Sequence, residues 1–344
     1  MKSIMEDRPV RKISVVRILA AVAFCCLLTY GAVFVPLPYV FTSPGRPIPA
    51  SSVVQVEGGS GHAGVIYITT VITERANVAL VLYHFLEPLS VLSPIPRADG
   101  NSAPDPYQVQ LDESLYRSKV FALREMGYKV PVEFEGAQVT GFVQGSGAEG
   151  ILQPGDVITA VDGVKVTHQR DIHSYLSGGG PAAGEVQVSF QRGGGTKTAQ
   201  VPLLKIEGKR ASLGLFFQAR MKRRPLPVGI RIRDRNFSGS SAGLPIALEI
   251  IHQMKKEDIT AGARVAASGT LGENGRVRPV VGVAFKVRGA EREGCRVFLC
   301  APENYREAKE AAVKIKVLPA ADLHQALMQM KSDSPVVSSV VGGR

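Results

Sequence analysis

The sequence predicts an α+β chain in three parts, and three observations predict it. Residues 18–41 carry no charge, residues 129–204 run as short apolar stretches broken by glycines, and from residue 230 onward strand-like and helix-like patterns alternate. These patterns correspond to one long apolar helix, a small sheet module, and a mixed sheet covered by helices. With 344 residues, 45% of them hydrophobic, the chain can bury two or three cores, which excludes a disordered protein.

The formal charge of +11 would suit nucleic acid, but the basic residues are scattered. The densest cluster, Arg220-Met221-Lys222-Arg223-Arg224 with Arg231, Arg233 and Arg235 following, lacks interleaved aromatics. It matches no nucleic-acid module and reads as a solvated basic face, so no nucleic-acid partner is expected. Cys25 and Cys26 sit in the apolar run, and Cys295 and Cys300 bracket an extended stretch too long for a disulfide. The cysteine and histidine spacing fits no metal site, and no cofactor is expected.

Taken in order, residues 1–17 are rich in Lys and Arg and precede the uncharged run. That run is long enough to cross about 30 Å of hydrocarbon. The basic flank places the N-terminus in the cytoplasm and residues beyond Thr42 outside, a single-pass membrane topology. A cleaved signal peptide is the competing reading, but no small-x-small site closes the run. After a proline-rich neck, Val53-Val54-Gln55-Val56 and residues 65–71 read as strands joined in a hairpin through Gly58 to Gly64. Residues 79–92 read as an apolar helix and residues 111–126 as an amphipathic one, with no chemistry in either.

From residue 129 the turns carry a motif: Gly150-Ile151-Leu152-Gln153-Pro154-Gly155-Asp156-Val157-Ile158-Thr159-Ala160-Val161-Asp162-Gly163. This stretch resembles PDZ domains of the bacterial protease type, whose G-L-x-x-G-D-x-I-x-x-V-(D/N)-G signature it nearly repeats. The resemblance implies a sheet edge to which an extended peptide adds as a strand. We place that edge at residues 139–143, with the carboxylate loop before it and Gly136, Ala137, Gln138 and Val139 in contact with the peptide. Gly145-Ser146-Gly147-Ala148-Glu149-Gly150 satisfies a dinucleotide-binding pattern but opens no long helix, so it is not read as one.

The densest chemistry is in Asn236-Phe237-Ser238-Gly239-Ser240-Ser241-Ala242-Gly243-Leu244-Pro245. Small residues break the chain, expose a serine and lead into an apolar helix, whose first amides can hold an oxyanion. Downstream, Lys286 closes a run uncharged from Pro279 to Phe285. Apolar surroundings favour the neutral amine, which can serve as a base for serine. Ser241 and Lys286 therefore read as a dyad. Gly239-Ser240-Ser241-Ala242-Gly243 also satisfies the G-x-S-x-G elbow of α/β-hydrolases, for which Asp322 and His324 are the nominal partners, but two residues apart on one helix they diverge.

The two segments together resemble the proteolytic domain of Lon-type serine proteases, over residues 228–330. That family's G-P-S-A-G appears with Ser240 in place of proline. Its P-I-G-G-(L/V)-K-x-K appears over Pro279 to Lys286 with Val281 replacing the first glycine and Ala284 the first lysine. Ile259-Thr260-Ala261-Gly262, Ser268-Gly269-Thr270 and Gly275-Arg276-Val277-Arg278-Pro279 match as well.

Anchor, PDZ and protease in this order resemble the membrane-anchored PDZ-Lon proteases of bacteria. The resemblance implies a Ser241–Lys286 serine endopeptidase acting on extracytoplasmic or membrane-tethered proteins, with the PDZ domain assisting. Gly239, Ser240 and Ala242 would support the oxyanion, Ser268 or Thr270 would orient Lys286, and six protease domains would often associate in a ring. Because nothing fits G-x-x-x-x-G-K-(S/T), the reading is ATP-independent. The expected divisions are a tail and anchor over 1–42, a strand and helix segment over 43–128, the PDZ domain over 129–206, the protease over 207–332, and a mobile tail over 333–344. The alternative of another class is a catalytically silent PDZ adaptor at the membrane, which would have been free to lose Ser241 or Lys286.

Overall fold

The computed structural model describes residues 15–86, 89–94, 105–181, 184–205, 211–234, 237 and 239–332. Asn236 and Ser238 of the serine segment, and the tail over 333–344, lie outside them. The chain forms two compact units, one of Met1–Ser43 with Ile72–Asp99 and one of Pro44–Val71 with Gly100–Arg344.

In the first unit Val15–Phe34 is a helix of 20 residues with none buried. By length and composition it can cross a membrane, the one such helix among the described residues. Tyr39–Pro44 lies between Val71–Arg75 and Val91–Pro94 in a three-stranded sheet. The expected helix over 79–92 is instead a helix Val78–His84, capped by Asn77 Oδ1 accepting from the Leu80 amide, followed by the strand Val91–Pro94. An apolar run interrupted by Pro88 cannot propagate one helix.

The second unit is built on a five-stranded sheet in the order Lys316–Pro319, Val297–Cys300, Arg264–Ser268, Val65–Ile68, Ile48–Pro49. The first four strands run parallel, with Val265 opposite both Ile66 and Val297, and Val297 opposite Lys316. Strand period then sorts the side chains. Ile66, Ile68, Val265, Ala267, Val297 and Leu299 enter one core with the helices Pro106–Glu125, Gly243–Met254 and Leu323–Ser332. Tyr67, Ala266 and Phe298 enter another with Val283–Arg292 and Tyr305–Ala311. Both faces are covered, as continuous apolar parallel strands require.

Two elements differ from the sequence reading. Val54–Val56 makes no hairpin with Val65–Ile68; it pairs antiparallel with Ile230–Ile232, Val54 opposite Ile232. Gln253 takes over the Val54 and Val56 backbone groups instead, its Nε2 donating to Val54 O at 2.9 Å and its Oε1 accepting from Val56 N at 2.8 Å. Residues 106–125 are not a one-sided surface helix either. Leu111, Leu115, Val120 and Leu123 are buried together with Glu113, Ser114, Arg117 and Ser118. Residues from the expected 43–128 segment thus share one core with residues 242–330.

Between Phe134 and Met221 the chain forms a second sheet and core. The strand order is Gly195–Pro202, Glu185–Arg192, Val157–Val161, Phe134–Phe142, Leu215–Met221, with the helix Gln169–Gly178 beside it. The signature residues are explained locally. Asp162 and Gly163, at φ 46 and 77, make the tight turn between Val157–Val161 and Val164–Lys165. Asp156 is buried and receives both Arg192 Nε at 2.7 Å and Nη2 at 2.6 Å, a two-point ion pair that ties the motif to the next strand. Leu215–Met221 extends this sheet past the expected limit at residue 206.

Candidate active site

Gly239 enters the serine segment at φ 85 and ψ 168, a region open to glycine and costly to residues with a Cβ. Ser240–Ala242 forms one 3₁₀ turn, and Gly243–Met254 continues as a helix buried from Gly243 to His252. The turn is held from two sides. Gly269 N donates to Ser241 O at 2.9 Å and Leu244 N to Gly269 O at 2.9 Å. From the helix Pro106–Glu125, Ser114 Oγ donates to Ser240 O at 2.9 Å, Ser118 Oγ to Gly243 O at 2.9 Å, and Tyr107 O accepts from Gly239 N at 3.1 Å. The Gly239 amide is therefore engaged, and it is not the oxyanion donor that the sequence reading allowed.

Lys286 projects from the buried side of the helix Val283–Arg292, which begins after left-handed Gly282 at φ 66. The residue is 4% exposed and its Nζ donates to Ser268 Oγ at 3.2 Å. Burial pushes the ammonium pKa down to about 8, since low dielectric penalises the charged form. Ser241 and Lys286 are thus bonded to consecutive residues, Lys286 to the side chain of Ser268 and Ser241 to the main chain of Gly269. Among the described residues no hydrogen bond joins Ser241 Oγ to Lys286 Nζ. Ser268 is the hydroxyl beside the lysine. Thr270 turns away and donates to Ser240 Oγ at 3.0 Å, and Ala242 is buried under the turn.

The hydrolase-elbow partners are engaged elsewhere. His324 Nδ1 meets Glu125 at 3.0 Å, and Asp322 Oδ1 accepts from Gln325 N at 2.8 Å. His252 is buried, stacks on His62 with ring centroids 4.3 Å apart, and bonds Asp258 at 3.0 Å.

The peptide edge needs correction. Phe134–Phe142 lies between Val157–Val161 and Leu215–Met221, so it is an interior strand. Gly136, Ala137, Gln138 and Val139 face Arg220, Ala219, Gln218 and Phe217 and are buried. Their backbone groups are spent on the chain's own strand, leaving no ladder for a peptide. The terminal strand on that side is Leu215–Met221, with Phe216 exposed and the Phe217 ring 5.4 Å from His173 of the helix Gln169–Gly178. Its far end is already held, Ala219 O accepting from Arg117 Nη2 and Met221 N donating to Glu113 Oε1 at 3.1 Å.

The basic cluster also differs from a purely solvated face. Arg223 Nη2 lies 3.0 Å and Arg220 Nη1 3.6 Å from the buried Glu113 carboxylate, and the Arg223 guanidinium stacks 4.0 Å above the Tyr116 ring. The signal for Glu113, Ser114 and Ser118 was weak. Polar residues inside a helical pattern read as its solvent side unless the partner helix is known.

Comparison with known proteins places part of this architecture. A family model described as PDZ domain matches residues 125–203, and the chain contains a PDZ domain. It is also weakly similar to Lon proteases. The relative from Halothermothrix orenii is 29% identical over 140 residues, 40% of this chain and 17% of that protein. The one from Heliobacterium modesticaldum is 27% identical over 140 residues, and "Lon protease 4" of Sorangium cellulosum 23% identical over 168 residues. The alignments span 17%, 16% and 21% of those three proteins' own length. Among solved structures, the PDZ domain of an SdrC-like protein from Listeria monocytogenes is 22% identical, covering 26% of this chain and 93% of that one with a TM-score of 0.23. A Geobacillus thermodenitrificans solution structure is 27% identical, covering 24% and 95%, with a TM-score of 0.21.

Proposed function

We propose that this chain is an ATP-independent, membrane-anchored serine endopeptidase of the Lon type, with Ser241 as nucleophile and Lys286 as its base. The observation that carries the reading is the buried Lys286 amine on Ser268 Oγ, one residue from the Gly269 amide that holds Ser241. A neutral amine there takes the Ser241 proton as Oγ attacks a peptide carbonyl, then returns it to the leaving amine nitrogen. Water, deprotonated by the same amine, releases the acyl group. The amide of Ser241, at the head of a helix, would receive the oxyanion.

The PDZ domain would deliver substrates by strand addition, now at the free part of Leu215–Met221 rather than at residues 136–139. Similarity to Lon proteases and a helix able to span a membrane support the anchored protease. Substrates would be extracytoplasmic or membrane-tethered proteins, and the working state a ring of copies. The deciding experiment is labelling of the purified full chain by a fluorophosphonate, with Ser241→Ala as control. Labelling that depends on Ser241 supports the protease; none would favour the silent adaptor.

A further inference from the structure

The helix Pro106–Glu125 carries two fully packed hydroxyls at i and i+4, Ser114 and Ser118, 3% and 0% exposed. Serine is a mediocre helix former and a buried hydroxyl is costly unless bonded. Here both are bonded, to carbonyls on either side of Ser241: Ser114 to Ser240 O, and Ser118 to Gly243 O and to Ser114 O at 2.8 Å. The approach is close. A Cβ on Gly243 would stand 2.9 Å from Ser114 Oγ and 3.0 Å from Leu271 N.

The two bonds are not equivalent. A peptide unit is planar, so fixing one carbonyl fixes the amide of the next residue. The Ser240 carbonyl shares its plane with the Ser241 N–H, and the Ser241 carbonyl, held by Gly269 N, shares its plane with the Ala242 N–H. The Gly243 carbonyl shares its plane with the Leu244 N–H, already committed to Gly269 O. We propose that Ser114 is a positioning residue for catalysis: together with the Gly243 N–H, which also donates to Ser240 O, it fixes the Ser240 carbonyl and so aims the Ser241 amide at the developing oxyanion. This rests on Ser241 being the nucleophile. Ser118 holds a plane with no free amide and serves stability.

The test uses the full chain in detergent, fluorescein-labelled casein as substrate, and a leucine-terminated tripeptide boronate, whose adduct with serine places an oxygen in the oxyanion position. Ser114→Ala should lower kcat by about tenfold, less than the roughly 10²–10³ lost when an oxyanion donor is removed outright, with KM unchanged, and should weaken the boronate by a similar factor. Ser118→Ala should lower the melting temperature comparably while kcat stays within about twofold. Equal kcat in Ser114→Ala and the parent, or equal loss in both variants, overturns the proposal. Should Ser114→Ala not fold, Ser114→Cys keeps the volume and a weaker donor, and the same split is read on it. Absence of Ser241-dependent labelling in the parent would instead sink the protease reading itself.

Discussion

Lys286 Nζ and Ser268 Oγ lie 3.2 Å apart, at 4% and 0% exposure, with burial as the cause of the lysine's lowered pKa. Cleavage should therefore rise with pH through about 8 and level off as the amine becomes neutral. Lys286→Arg keeps a charge that cannot be removed near neutral pH, so it should abolish turnover as fully as Lys286→Ala. Activity retained by the arginine variant would mean another base. The unfolded lysine titrates near 10.5, so between about 8 and 10.5 the unfolded chain binds more protons and stability rises with pH. Calorimetry across that window should find the rise in the parent and lose this contribution in Lys286→Ala.

Gly239 offers a test of backbone rather than contact. A Cβ there meets nothing within 4 Å, yet φ is 85. Gly239→Ala should cost about 1–3 kcal/mol from conformation alone. A melting temperature equal to the parent's would show that the turn adopts another φ.

The PDZ domain leaves and rejoins the larger core at paired residues, Phe134 opposite Met221. Replacing residues 135–220 by Asn-Gly, a two-residue hairpin turn, should spare Ser241 labelling and cleavage of short unstructured peptides. Turnover of a membrane-tethered protein should fall at least several-fold. A deletion ending at residue 204 would strand Leu215–Met221 without its sheet. Equal loss of peptide cleavage and labelling would show that the domain holds the active site in shape.

Strand addition at the new edge is read by photocrosslinking. A benzoylphenylalanine at position 216 should capture a hydrophobic C-terminal peptide, whereas one at 197, on the opposite terminal strand Gly195–Pro202, should not. Capture at 197 alone would move the groove to the other side of the sheet.

For topology, protease added to intact spheroplasts should digest the region beyond Thr42. Protection of that region would refute the orientation.

The sequence displayed the parts that obey local rules. Val297–Cys300, Lys316–Pro319 and Leu323–Ser332 end within three residues of the strand-like 294–301, the strand-like 315–318 and the helix-like 322–330 that the apolar pattern marks, and Asp162-Gly163 announces its own turn. What stayed hidden depends on partners far along the chain. Val54–Val56 looks like half of a hairpin until Gln253 takes its backbone groups, and Phe134–Phe142 looks like an edge until Leu215–Met221 is laid beside it. Ser114 looks like a polar helix position because its acceptor, Ser240 O, is in another segment. Ser268 and Thr270 could not be told apart by spacing; only the side from which Lys286 enters separates them.

The parallel pairing of Val65–Ile68 with Arg264–Ser268 also sets an order of events during synthesis. Val65–Ile68 finds its antiparallel neighbour Ile48–Pro49 early but must wait for its parallel partner from the last third of the chain, with the PDZ segment free to fold in between. Closing so long a loop is slow, and the serine turn, which needs both Ser114 and Gly269, cannot assemble before it closes. The proposed protease would thereby stay inactive while ribosome-bound or truncated, since Ser241, Lys286 and Ser114 are brought together only when nearly the whole polypeptide has emerged.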